Sequence, residues 1–386
     1  MKRFSFLIIL LFLSSLVGAA ELDVHGFAQM WYLYRDNGIA LKDANNVTYY
    51  LAQSDSRFVL SRARLRTNVE LSNVVSFFGQ IDFMAYQNNV VNPGDKNDVY
   101  SYNLLQLMDL FLNVKLHDYI TLRFGQFTIP FGYEIMRSPY DLELVSYSLV
   151  VGNGHRYYGR QLGFFPYLRD TGVYAFGDYK GFNYKLGIVN GAGIYRSEEN
   201  RVDISKDRDY GNKFKDLVGR IGYNHKLFSV GLSGYYGLRD AYDDFDANRR
   251  FWRGGFDLTS QYKNIVFASE VIFGQDEYKT VKAAEGKIEF SPHFSYGTYV
   301  LLGYKFTDLK LLPVVRYGFV EPDDSIDDNE FSSVSAAINY YFSEFAKLTL
   351  AYEKIIPVKA MQYINKDGKA SDINLQTAIM QLGVNF

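Results

Sequence analysis

Cysteine is absent from this chain of 386 residues. No disulfide framework, thiolate metal site or cysteine nucleophile is therefore available. Histidine is scarce: His25, His117, His155, His225 and His293 are the full set. None of them stands in a G-x-S-x-G or H-E-x-x-H pattern, so a lipase or protease reading lacks its motif. Proline is limited to eight residues and tryptophan to two. Beyond the N-terminus no stretch reaches the ~18 consecutive apolar residues that a spanning helix needs. The formal charge is −2, which gives nucleic-acid binding no support. No metal or cofactor is expected.

What is present begins with a basic start, Met1-Lys2-Arg3, followed by an apolar run from Phe4 to Val17. Small residues, Gly18-Ala19-Ala20, come next. Residues 1–20 read as a secretory signal peptide cut after Ala20. The run is too short for a membrane anchor. Loss of Lys2 and Arg3 takes the charge to −4 (39 basic against 43 acidic residues). The mature part, 21–386, holds all 33 Tyr and the 31 Phe less Phe4, Phe6 and Phe12, which leave with the leader. An exported chain without disulfides, rich in aromatics, suits a closed barrel. There every backbone group is paired and aromatic rings belt both membrane interfaces.

The last stretch, LQTAIMQLGVNF, carries Ala378, Met380, Leu382, Val384 and Phe386 on one face at period two. Thr377, Gln381 and Asn385 take the other face. That ending predicts a strand touching lipid outside and water inside, and it resembles the assembly signal of outer-membrane barrels.

Alternation predicts sixteen strands. The first eight lie near 21–35, 57–71, 74–87, 104–116, 119–128, 160–177, 182–190 and 214–225. The rest lie near 229–239, 250–261, 264–275, 288–306, 309–320, 331–342, 346–357 and 374–386. Seven tight turns alternate with eight long loops, which puts both termini on one side. The fold expected is an all-β, antiparallel transmembrane β-barrel.

The sharpest pattern is RFVLSRARLRTNVEL at 57–71. Val59, Ala63, Leu65, Val69 and Leu71 are expected on one face, and Arg62, Arg64, Arg66, Asn68 and Glu70 on the other. Each arginine on the lipid side would cost roughly 2–4 kcal/mol near the midplane. On a wet inner face, neighbours ~6.8 Å apart repel by only about 0.6 kcal/mol. The stripe therefore faces inward, either as an anion-attracting ladder or as a brace paired with acids such as Asp82, Asp109 or Glu70. Alternation also sends Asp109, Asn113, Lys115, Thr121 and Arg123 inward. Lys185, Arg220, Arg253 and Arg316 follow, opposed by Asp257, Glu270 and Glu353.

The third long loop, 129–159, opens with Pro130-Phe131-Gly132 and is too apolar to wave in water. It is expected to fold into the barrel and narrow the pore. It carries Glu134, Asp141 and Glu143 against Arg137 and Arg156.

Together these stretches resemble the phosphate-selective porin O/P family. RARLRTNVEL at 62–71, LMDLFLNVKLHDYITLRFGQFTIPFGYE at 107–134, GRQLG at 159–163 and YKLGIVNGAG at 184–193 carry the resemblance. It implies a homotrimeric, sixteen-stranded outer-membrane porin for small anions or other hydrophilic solutes, with the third loop as constriction. It places Arg62, Arg64 and Arg66 on a basic wall. Asp109 and Arg123 fall near the narrowest point, and Glu134 at the loop start. Position 126 holds Gln where the family's pattern often has Lys, which thins the basic cluster. The loop is net acidic, so a weakly selective or cation-preferring porin is the alternative. A hydrophobic-substrate transporter would need a plug where 21–56 instead opens on a strand. Outer-membrane lipids and the barrel-assembly machinery are the expected partners.

Overall fold

The computed structural model describes residues 21–42, 48–83, 105–151, 156–157, 160–161, 164–165, 168–191, 215–241, 244–282, 287–358, 362–364, 370–372 and 375–386. The leader read at 1–20 lies outside them.

Sixteen antiparallel strands close into one barrel. We label them β1 (Glu21–Lys42), β2 (Thr48–Glu70), β3 (Val75–Asp82), β4 (Gln106–His117), β5 (Ile120–Thr128), β6 (Arg169–Tyr179), β7 (Phe182–Val189) and β8 (Asp216–Asn224). The second half is β9 (Ser229–Ala241), β10 (Asp244–Tyr262), β11 (Ile265–Lys282), β12 (Lys287–Tyr304), β13 (Leu311–Glu321), β14 (Phe331–Tyr341), β15 (Ala346–Pro357) and β16 (Leu375–Asn385). Each strand pairs with its sequence neighbours, and β16 returns to β1. Two short ribbons, 156–157 with 160–161 and 362–364 with 370–372, lie outside the barrel sheet.

Alternation explains the wall. Leu60, Leu110, Leu186, Leu232, Val300, Ile338, Leu350 and Met380 all project outward and are exposed. Rings belt the tight-turn side: Tyr119, Tyr179, Phe182, Tyr262, Tyr304, Phe342 and Phe345 are exposed beside their turns. This is the surface of a barrel in hydrocarbon, where an apolar band is flanked by aromatics. The turns use ordinary hairpin chemistry. Lys180 and Gly181, at φ 51° and 91°, join Tyr179 to Phe182 as a two-residue connection with both φ positive.

Four sequence expectations need correcting. The sixth strand begins at Arg169 rather than 160, because Phe164, Phe165 and Leu168 are buried inside the barrel instead of facing lipid. The loops expected at 36–56, 240–249 and 276–287 are mostly strand. Pairing there continues to Lys42↔Thr48, Ala241↔Asp244 and Lys282↔Lys287, past the ~9–11 residues that span a membrane. The β1–β2 register shifts after Gln29↔Arg62, leaving Ser61 as an extra residue. The bulge turns Phe58 and Leu60 outward and puts Val59 opposite Trp31 on the inner face, where unbroken alternation had it outside. Finally, Gln126 shares the parity of Ile120 and Phe124, which are exposed on the outer wall. Its amide nitrogen donates to the carbonyls of Leu107 and Met108 at 2.8 Å each. It stabilises a second bulge at Met108 and does not face the lumen.

Closure depends on the chain end. The Phe386 amide donates to Gly26 (2.9 Å) and the Gly26 amide to Phe386 (2.7 Å). A Cβ at Gly26 would stand 2.3 Å from the Arg64 carbonyl oxygen and 3.0 Å from the Phe386 ring, so only glycine fits that pairing. Met380, Leu382, Val384 and Phe386 are exposed outward, and Gln381 is buried inward beneath Trp31. Deleting Phe386 removes both closing bonds and the terminal ring. The expected result is a severalfold lower yield of heat-modifiable, folded barrel in the outer-membrane fraction, read on unheated gels. An undiminished yield would show that the last pair is dispensable.

Candidate functional site

The third loop spans the connection from β5 to β6 and lies inside the barrel. Its root, Ile129, Phe131 and Ile135, and its later apolar residues, Leu149, Val150 and Val151, are essentially fully buried. They pack against inward residues of the far wall, among them Val218, Tyr235, Ile272, Tyr299, Leu301, Val314 and Ile355. Burial of each such side chain contributes about 1.5–3 kcal/mol.

Polar contacts fix the loop in place. Arg316 of β13 is 2% exposed. It donates to Glu134 at 3.1 Å, to Glu353 of β15 at 3.3 Å, and to the carbonyls of Ser146 and Tyr147 at 3.1 and 3.2 Å. Glu134 also accepts from the Ser148 amide (2.9 Å) and hydroxyl (2.5 Å). Glu270 of β11 accepts from the amides of Tyr133 and Glu134, each at 3.2 Å. Gly132, at φ 64°, makes this approach possible, since a Cβ there would fall 1.9 Å from Glu270 Oε1. Lys347 of β15 donates to the Leu142 carbonyl at 3.0 Å, and Asn339 of β14 to Glu143 at 2.9 Å. Within the loop, Arg137 binds Glu143 at 2.6 and 2.9 Å. Burial alone would depress the Arg137 guanidinium, but the Glu143 carboxylate holds it above its ordinary value. Burial likewise pushes the Tyr133 phenol up to about 12.

The inner face of β2–β7 is different in kind. Arg62 donates to Gln29 (2.9 Å) and lies over Trp31. Arg64 pairs with Asp82 at 2.7 Å, both buried. Arg66 donates to Gln80 (2.6 Å) and to Ser138 of the loop (2.8 Å). Asp109 accepts from Gln80 at 2.9 Å and from Arg169 at 3.1–3.2 Å. Arg123 donates to Asn113 at 2.8 Å and sits 3.6 Å from the Phe111 ring centre. Lys185 reaches the Met136 thioether of the loop at 3.4 Å. Ser138 and Met136, two residues apart, thus touch β2 and β7. The strands β3–β6 lie between those two contacts in the order of the barrel wall.

Residues 37–216 match the family described as phosphate-selective porin O and P. That match spans 180 of the 386 residues, and over it the chain is similar to the porins of that family. Solved structures agree in fold. The outer membrane channel DcaP of Acinetobacter baumannii aligns at 14% identity over 95% of this chain and 97% of its own, with a TM-score of 0.61. The anion-selective porin from Comamonas acidovorans aligns at 11% identity, over 95% and 99%, with a TM-score of 0.53. A trimer form of OmpT, an outer membrane protein of Vibrio cholerae, aligns at 12%, over 95% and 100%, with a TM-score of 0.53. No curated protein matches by sequence. The family match and the fold place this porin in the bacterial outer membrane.

The porin architecture divides the residues singled out from the sequence. Arg62, Arg66 and Arg123 reach the inner face and are half-buried, whereas Arg64 is a brace on Asp82. Lys115 stands at the tight-turn end of β4 and pairs with Asp118 at 2.9 Å, away from the loop. Glu134 points into the far wall, where it meets Arg316. The side chain of Arg156 lies outside the described residues. Arg220, Arg253 and Arg316 are engaged with Asp257, Asp276 and Glu353. Sequence reasoning did not single out Arg169, which holds Asp109, nor the anchoring role of Arg316. Arg169 follows an apolar loop end, Phe164 to Leu168, and so gave no alternation to read.

Replacing Arg316 with Met leaves Glu134 and Glu353 buried without their cation, a penalty of roughly 3–5 kcal/mol. The third loop is expected to detach, raising single-channel conductance and lowering the unfolding temperature of the barrel. Adding Glu134→Gln and Glu353→Gln should recover part of both. Conductance and unfolding temperature equal to wild type in Arg316→Met would contradict the anchoring role.

Proposed function

We propose that this porin passes small hydrophilic solutes by diffusion and prefers anions, inorganic phosphate among them. The observation that carries the reading is an imbalance of pairing. Two loop carboxylates, Glu134 and Glu143, are bonded to Arg316 and Arg137. On the facing wall, among the described residues, the hydrogen-bond partners of Arg66 are the neutral Gln80 and Ser138. Cations left without carboxylates raise the local concentration of anions in a narrow aqueous passage. The anion-selective porin that shares the fold supports this preference, and the trimer form of the Vibrio protein supports a homotrimer. Export through a cleaved leader at 1–20 and recognition of the Phe386 end by the assembly machinery complete the proposal. No catalytic role is assigned. Asp141 on the loop is exposed, and a dominant field from it favours the second reading, a weakly selective or cation-preferring porin.

The test uses Arg62 and Arg66, sparing Arg64 because its loss would strand Asp82. The reversal potential across a planar bilayer should report anion preference in dilute salt. The preference should shrink in concentrated salt, as the Debye length falls from about 30 Å at 0.01 M to about 3 Å at 1 M. Arg62→Gln with Arg66→Gln should move the potential toward cations at low salt. A wild-type potential favouring cations would select the second reading. No change in the double variant would make the arginines structural.

A further inference from the structure

Past the arginines of β2, the inner wall of β5–β7 combines two cations with an aromatic floor. Among the described residues neither Arg123 nor Lys185 makes an ion pair; their side chains meet Asn113, Tyr174 and the Met136 thioether. Phe176 of β6 faces inward between them. Its ring centre is 5.1 Å from the Arg123 guanidinium, and it pairs directly across the strands with Lys185. The ring is half-buried, with one part packed and one part open. Met136 of the anchored loop faces the same place.

This wall suits an anion with a body. A small inorganic ion is held by charge and water and gains nothing from Phe176 or Met136. An aromatic carboxylate would set its charge on Arg123 and Lys185 and its ring against Phe176 and the thioether, where ring–ring and sulfur–ring contacts add attraction. Resting on the anion-porin reading, we infer that the Arg123–Phe176–Lys185 wall is a binding subsite for aromatic carboxylates, placed beside the third loop. It makes such acids better ligands of the channel than acetate or phosphate.

The experiment is current block of the purified full-length barrel in a planar bilayer, titrated with benzoate, acetate and phosphate in the same chloride background. Benzoate is expected to half-block at a concentration about fivefold or more below that of acetate or phosphate, the size of one aromatic contact. Phe176→Leu should reduce the benzoate-to-acetate ratio several-fold. Lys185→Gln should weaken both acids by similar factors. Met136→Ala, on the loop, supplies a second variant if Phe176→Leu yields no folded barrel, and it should also lower the ratio. Benzoate blocking no better than acetate, or a ratio unmoved by these variants, overturns the subsite. The chloride reversal potential on the same membranes separates the two readings. A cation-preferring channel that still favours benzoate contradicts the proposed selectivity and keeps the subsite. An anion-preferring channel without benzoate preference does the reverse.

Discussion

The interior of this barrel is organised by one guanidinium. Arg316 lies between Glu134 of the third loop and Glu353 of the wall, and it also binds two loop carbonyls. A cation so deeply buried is tolerable only when its hydrogen bonds are met on several sides. The loop supplies most of them. Wall and loop therefore satisfy each other, and an apolar loop that would be a liability outside becomes the core of the molecule.

From that anchoring follows the division of the lumen. The face of β8–β15 holds the loop; its charges pair as Arg220–Asp257, Arg253–Asp276 and Arg316–Glu353 or bind loop backbone, as Glu270 and Lys347 do. The face of β2–β7 meets the loop through Arg66 with Ser138, Lys185 with Met136, and apolar residues such as Phe111, Phe127, Tyr174 and Val189 in the shared core. Arg66, Arg123 and Lys185 there are half-buried and, among the described residues, bond to neutral partners. Selectivity in such a channel depends less on the number of basic residues than on which of them lack a carboxylate.

The barrel was legible because its strands obey a period of two and its tight turns are short and polar. Sixteen strands and the C-terminal closing strand follow from that alone. What alternation missed has local physical causes. The bulge at Ser61 reversed the faces of Phe58, Val59 and Leu60, and nothing in that apolar run marks it. Extended hairpins such as β1–β2 read as loops because their outer ends are polar and irregular in pattern. The candidate site was legible only by type. Inward arginines could be counted, but whether Arg64 meets Asp82 or Asp109 depends on strand register, which no composition reveals. The same holds for Gln126, whose outward direction follows from its strand parity and its bonds at the Met108 bulge.

The central claim is that the third loop lies within the lumen, one side on the far wall and the other on the solute path. The chain has no cysteine, so single introduced cysteines report without background. At Met136, half-buried beside Lys185, a cysteine should react with a small charged thiol reagent in intact cells and lower the single-channel current. It should resist a bulky polymer-linked maleimide. At Leu149, which is 0% exposed, a cysteine should stay unreactive to both until the barrel is unfolded. Labelling of position 136 by the bulky reagent, or of position 149 by either reagent in the folded protein, would put the loop outside the barrel and contradict this account.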